Sequence, residues 1–149
     1  MGEPPTISAA RVVLELVLEE PRPSDLELLR ALDRLAAAYH EIREEECRCL
    51  TDADPPDQNY NALRKEIGKR FSDFGYYKAA GFTEELNEEP LIGDAVDDLV
   101  DLVQDLRSAL WYFENSGAED AYWFLRLQYF HWARHLRELA LYLHTREFG

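Results

Sequence analysis

Only three residues, Asn115-Ser116-Gly117, separate two long helical patterns near the C-terminus, and that brevity constrains the fold most. Helices joined so tightly must lie side by side and antiparallel. The first pattern runs from Asp94, which can cap it, to about Asn115. Val96, Leu99, Leu102, Val103, Leu106, Ala109, Leu110 and Phe113 form one broad face. Asp97, Asp98, Asp101, Asp105, Ser108 and Tyr112 lie on the opposite side. The second pattern starts after Ser116, whose spacing to Glu119 predicts a capping box, and extends to about His144. Its apolar residues go most of the way round: Leu125, Tyr129, Trp132, Leu136, Leu139 and Leu143 on one side, Trp123, Phe130 and Leu141 on another. Such a helix is central to a bundle or faces a partner.

The upstream chain reads as cover for this hairpin. A first helix is predicted from about Ile7 to Glu20, capped by Thr6 or Ser8 and stopped by Pro21 and Pro23. Its near-continuous apolar run from Val12 to Leu18 makes a buried strand the competing assignment. Ser24 and Glu27 form a capping box that starts a second helix, with Leu28, Leu32, Leu35, Tyr39 and Ile42 at helical spacing. That pattern predicts a helix reaching Glu46, although its acidic end opposes the helix dipole. Leu50 to Gln58 is a loop by composition, and its aspartates lack the pattern of a calcium loop. A third helix is predicted from about Tyr60 to Phe74, with Arg64, Lys65, Lys69 and Arg70 on its outer face to complement acid elsewhere. Residues 75–93 read as an irregular, aromatic-anchored connection.

The fold expected is therefore all-α: a single domain over residues 1–149, a bundle of about five helices around the C-terminal antiparallel hairpin. Residues 1–5 are expected as a disordered start.

The 149-residue chain carries 46% hydrophobic and 31% charged residues, which suits a globular domain with a proper core. Its net charge of -14 opposes binding to nucleic acid or to an anionic membrane surface, and favours solubility or a basic protein partner. No signal-peptide pattern opens the chain, and the run Val12 to Leu18 is too short to span a bilayer. Cys47 and Cys49, two apart, fit free thiols in a reducing cytoplasm rather than a disulfide or zinc site. Phosphate-binding glycine loops, nucleophile elbows and His-Glu-x-x-His motifs are all missing.

One polar constellation remains. With residue 116 as the joint, residues equally far from it on either side stand at equal height. Asp101 then lies level with His131, Asp97 with His135 and Asp98 with Arg134. Each of the pairs Asp97/Asp101 and His131/His135 has i,i+4 spacing and shares a helix face. Two carboxylates and two imidazoles on facing helices can hold zinc, manganese or iron. The competing reading is an interhelical seam of ion pairs and hydrogen bonds, built from Asp98, Trp132, Arg134 and His135, with Asp98 on Arg134 and Asp97 on His135.

The stretch from Gly93 to Leu110, with Asp97-Asp98-Leu99, Asp101 and Asp105-Leu106, followed by Trp132-Ala133-Arg134-His135, resembles domain-of-unknown-function family 5063. That family pairs an acidic helix with an aromatic helix and a Trp-Gly-Arg-His run, where this chain has Ala133 in place of the glycine. The resemblance implies a bacterial cytoplasmic helical domain and brings no catalytic residues or cofactor with it. Two function classes follow. The first is a noncatalytic acidic binding or structural protein, acting on a protein partner or a second copy, in the manner of an antidote that masks a basic partner. The second is a metal-dependent enzyme or metal-binding protein using Asp97, Asp101, His131 and His135.

Overall fold

The computed structural model describes residues 2–79, 85–86 and 89–149. Six α-helices and one short strand pair occur among them: α1 (Pro5–Leu18), α2 (Asp25–Tyr39), α3 (Tyr60–Arg70), β1 (Tyr76–Ala79), β2 (Leu91–Asp94), α4 (Ala95–Asn115), α5 (Ala118–Leu127) and α6 (Tyr129–Phe148). The all-α expectation holds, and α1 is a helix rather than the competing strand.

Helix α4 is the axis of the molecule. It packs against α1, α3, α5 and α6, while α2 closes the far side against α1 and α6. Leu99, Leu102, Val103 and Leu106 are therefore fully buried, and Val100 on another face of the same helix is buried too. A helix enclosed on several sides buries positions that a single apolar stripe would leave in water.

Local chemistry sets several boundaries. At α2, the Glu27 amide donates to Ser24 Oγ at 3.1 Å and the Ser24 amide to Glu27 Oε1 at 3.4 Å, completing the expected capping box. Asp94 caps α4 as expected, accepting from the amides of Val96 at 3.0 Å and Asp97 at 3.3 Å. The basic face of α3 meets acid, with Arg64 Nη2 2.6 Å from Asp94 Oδ2 and Arg70 Nη1 2.5 Å from Glu20 Oε1.

Four expectations need correction. Helix α2 ends at Tyr39 instead of Glu46, and a single 3-10 turn follows at Glu44–Glu46. The acidic end gains nothing from the helix dipole. The chain instead crosses to α5, where buried Asp120 accepts the amides of Leu50 at 2.8 Å and Thr51 at 3.0 Å. Helix α3 ends at Arg70, short of Phe74. The Ser116–Glu119 capping box does not form, because Ser116 still belongs to the end of α4, with its amide on Tyr112 O at 2.8 Å. Gly117 alone reverses the chain at φ 116°, a conformation that suits glycine. The long last helix is in fact two, interrupted at Gln128.

Residues 75–93 contain a strand pair that helical periodicity did not reveal. β1 and β2 are antiparallel, with Tyr76 opposite Asp94, Tyr77 opposite Gly93, Lys78 opposite Ile92 and Ala79 opposite Leu91. Residues 80–84 and 87–88 of that connection lie outside the described residues. No helix among the described residues is long and apolar enough to cross a membrane.

Candidate metal centre

The site lies where the first half of α4 faces α6, with β1 alongside. On α4, Asp98, Asp101 and Asp105 are spaced i, i+3 and i+7, which aligns them in one stripe. On α6, His131 and His135 are spaced i, i+4 on the facing side, and Glu138 continues that stripe.

Each imidazole is held by two carboxylates. His131 Nδ1 is 2.6 Å from Asp105 Oδ2, and its Nε2 is 3.9 Å from Asp101 Oδ1. His135 Nδ1 is 2.7 Å from Asp98 Oδ1, and its Nε2 is 3.2 Å from Asp101 Oδ2. Both rings thus turn Nδ1 toward an outer carboxylate and Nε2 toward Asp101. The rings meet edge to face, their centroids 4.8 Å apart.

Tautomer logic gives this convergence its meaning. A neutral imidazole has one N–H, and the short Nδ1 contacts place it on the outer side in both rings. Each Nε2 lone pair then points at the Asp101 carboxylate, which also offers only lone pairs. Such an arrangement is repulsive unless a proton or a cation lies between. Donor atoms on a tetrahedron around an ion at 2.0–2.1 Å stand about 3.4 Å apart, and the two Nε2–Asp101 separations of 3.2 and 3.9 Å bracket that spacing. Ligand atoms of Asp101, His131 and His135 all lie within 4.8 Å of one another.

A second group of this kind, Asp98, His135 and Glu138, shares His135. There Tyr77 already bridges the carboxylates: its hydroxyl donates a very short hydrogen bond to Asp98 Oδ2 and lies 3.3 Å from Glu138 Oε2. The Tyr77 ring passes directly over Gly93, where any Cβ would overlap it. Asp98, only 3% exposed, is thus satisfied from both sides, by imidazole and by phenol.

Electrostatics follow burial. Desolvation pushes the carboxyls of Asp98 and Asp105 up, against the downward pull of His135 and Tyr77 on Asp98 and of His131 on Asp105. Burial opposes a charged His135, yet the hydrogen bond to Asp98 and the nearby Asp101 and Asp97 outweigh it and raise the imidazole. Tyr77 is pushed far up by burial and by Asp98.

The registry places the residues differently from the seam predicted. His135 meets Asp98 and Asp101, where Asp97 was the expected partner. Asp97 sits beside Asp101 with Arg64 at 4.0 Å, outside the converging ligand atoms. Arg134, expected on Asp98, donates from Nε to Glu138 Oε1 at 2.6 Å. Trp132 is fully buried in the core, with its indole N–H on Leu125 O at 2.8 Å. The joint alone does not set the registry, because the Gln128 interruption consumes chain between the joint and His131. This slides α6 by less than one helical turn toward Asp105. Asp105 lies on the acidic face that the sequence shows, but nothing in its spacing names a partner for it, and Tyr77, Gly93 and Glu138 carry no sequence signal of the site on their own. Glu138 was the findable one, since it continues the His131/His135 stripe.

The model of a domain of unknown function, DUF5063, matches residues 23–148. The chain belongs to this family. Among solved structures, the DUF5063 chain is similar to protein BF1032 from Bacteroides fragilis, with a TM-score of 0.73 at 15% identity over 97% of this chain and 91% of that one. At that identity the likeness shows the fold alone. No curated protein matches the chain.

Proposed function

We propose that the protein binds one divalent transition metal through Asp101, His131 and His135. The observation that carries this is the convergence of both Nε2 atoms on Asp101 while both Nδ1 atoms are anchored by Asp98 and Asp105. Imidazole ligands whose far nitrogen donates to a carboxylate are the usual support of a metal site. Two nitrogens and one carboxylate suit zinc, iron(II) or manganese. The His131 side chain is 36% exposed, so solvent or a substrate can reach the remaining coordination positions, as in catalytic sites with three protein ligands.

The experiment is metal titration of chelator-stripped, tag-free protein with zinc, manganese and iron(II), read by calorimetry and by thermal melting. One equivalent is expected to bind and to raise the melting temperature. His131→Ala and His135→Ala should each weaken binding at least about 100-fold, whereas Asp98→Asn should weaken it about 10- to 100-fold. If no metal binds and chelator leaves the melting temperature unchanged, the cluster is an ion-pair seam of imidazolium and carboxylate.

A second reading rests on the net charge of -14. It makes the protein a noncatalytic acidic binder of a basic partner in a bacterial cytoplasm, and the acidic 3-10 turn at Glu44–Glu46 supports it. Recovery of a basic partner at low salt, lost at high salt, would favour this reading.

A further inference from the structure

Beside the metal centre, β1 and α6 enclose a cleft of about 640 Å³. Its apolar wall comes from the rings of Tyr77 and Tyr142 and from Leu141, which is 67% exposed. Lys78, Arg134, Arg137 and Arg146 also line it, and among the described residues Glu138 is the one acid in its lining. In a chain with a net charge of -14, this is a local reversal of sign. Two of these cations have their charge committed: Arg134 to Glu138, and Arg146 to Asp25 and Asp73. Arg137 donates to the Tyr129 hydroxyl at 3.1 Å and approaches His40 Nε2 at 3.5 Å, and no carboxylate among the described residues pairs with it. Lys78 stands exposed on β1.

A concave, mainly apolar space with a few polar groups of one sign is the usual form of a small-ligand site. Its volume lies within the range of pockets that hold drug-sized molecules. The chemistry selects the ligand: an apolar body packs on the tyrosines and Leu141, and an anionic head meets Arg137 and Lys78. The net charge of -14 disfavours such a ligand on the acidic surfaces of the chain. We propose that this cleft binds a small organic anion with an apolar body, its negative group directed at Arg137 and Lys78. The proposal stands apart from the metal reading, because no ligand contact with the metal is required. The cleft adjoins that centre through Tyr77, which lines it and whose hydroxyl also holds Asp98.

The test uses the whole chain, stripped of metal, and the fluorescent anion 8-anilinonaphthalene-1-sulfonate as probe. Amide chemical-shift mapping on isotope-labelled protein gives the location, and fluorescence titration gives the affinity. Saturable one-to-one binding is expected, with shifts concentrated at Lys78, Arg137, Leu141 and Thr145. Arg137→Glu should weaken binding at least tenfold. Lys78→Glu, on the opposite rim, should do the same should the first variant melt early. Arg34→Glu supplies the control, because Arg34 lines a separate apolar groove between α1 and α2. Equal loss with Arg34→Glu, shifts centred on Val12 and Ala31, or binding indifferent to both cleft variants would overturn the proposal.

Discussion

Gly93 and Tyr77 make the smallest unit on which the site depends. The glycine clears space for the Tyr77 ring, and the ring carries the hydroxyl that satisfies buried Asp98. A methyl group at Gly93 must push the ring away. Gly93→Ala should therefore cost about 1–3 kcal/mol of stability in urea denaturation, as overpacking does. Gly75→Ala should be nearly silent, since nothing lies within 4 Å of a Cβ there. Tyr77→Phe removes a hydrogen bond to a buried carboxylate and should cost about 1.5–3 kcal/mol in the same assay. Neither residue was legible in the sequence as part of the site. A glycine before a helix cap reads as a loop, and only the cross-strand pairing of Tyr77 with Gly93 gives it a purpose. The choice between Asp97 and Asp98 failed for a related reason. A helical wheel assigns one buried face, whereas α4 has neighbours on several sides, so Asp98 lies inside and Asp97 toward the rim.

Among the elements, the interruption at Gln128 matters most. It contains neither proline nor glycine, so composition does not announce it. It frees the Leu125 carbonyl, and the Trp132 indole N–H satisfies that carbonyl inside the core. Trp132→Phe keeps most of the apolar volume but orphans the carbonyl. A loss of about 1–3 kcal/mol from the unmade hydrogen bond is expected, with further loss from packing. Denaturation followed by circular dichroism measures it. Signals with local chemistry were legible: the Ser24–Glu27 box, the Asp94 cap and the short joint all appear where their residues demand. The strand pair was not, because four residues per strand give too little alternation to distinguish from loop.

At the scale of the whole molecule, Asp73 is the hub of the ion pairs that tie the approach to β1 to the α1–α2 connection and to the C-terminal end of α6. It accepts from Arg22 and, at 2.6 Å, from Arg146 Nη2, while Arg146 Nε also reaches Asp25 at 2.9 Å. The Arg22 and Arg146 guanidiniums hold the Asp73 carboxyl well below its ordinary range. A carboxyl depressed in the folded state contributes its stability above the unfolded value, near 3.9, and loses it as pH falls toward the folded value. Asp73→Asn should thus lower stability at pH 7, by about 1 kcal/mol or less since the pair is partly exposed. The difference from the parent chain should shrink steadily as pH falls below 4, as followed by thermal melting. Two resets of helical phase, at Gly117 and at Gln128, stand between the carboxylates of α4 and the histidines of α6. In an unbroken helix, one inserted residue would swing everything beyond it by 100°. Here only the break at Gln128 lies between α5 and His131, and it already resets the phase between the two helices. The alignment of the ligands thus rests on two breaks and on the packing of α5 between them, where buried Asp120, Ala121 and Leu125 hold it in place, rather than on one continuous helical phase.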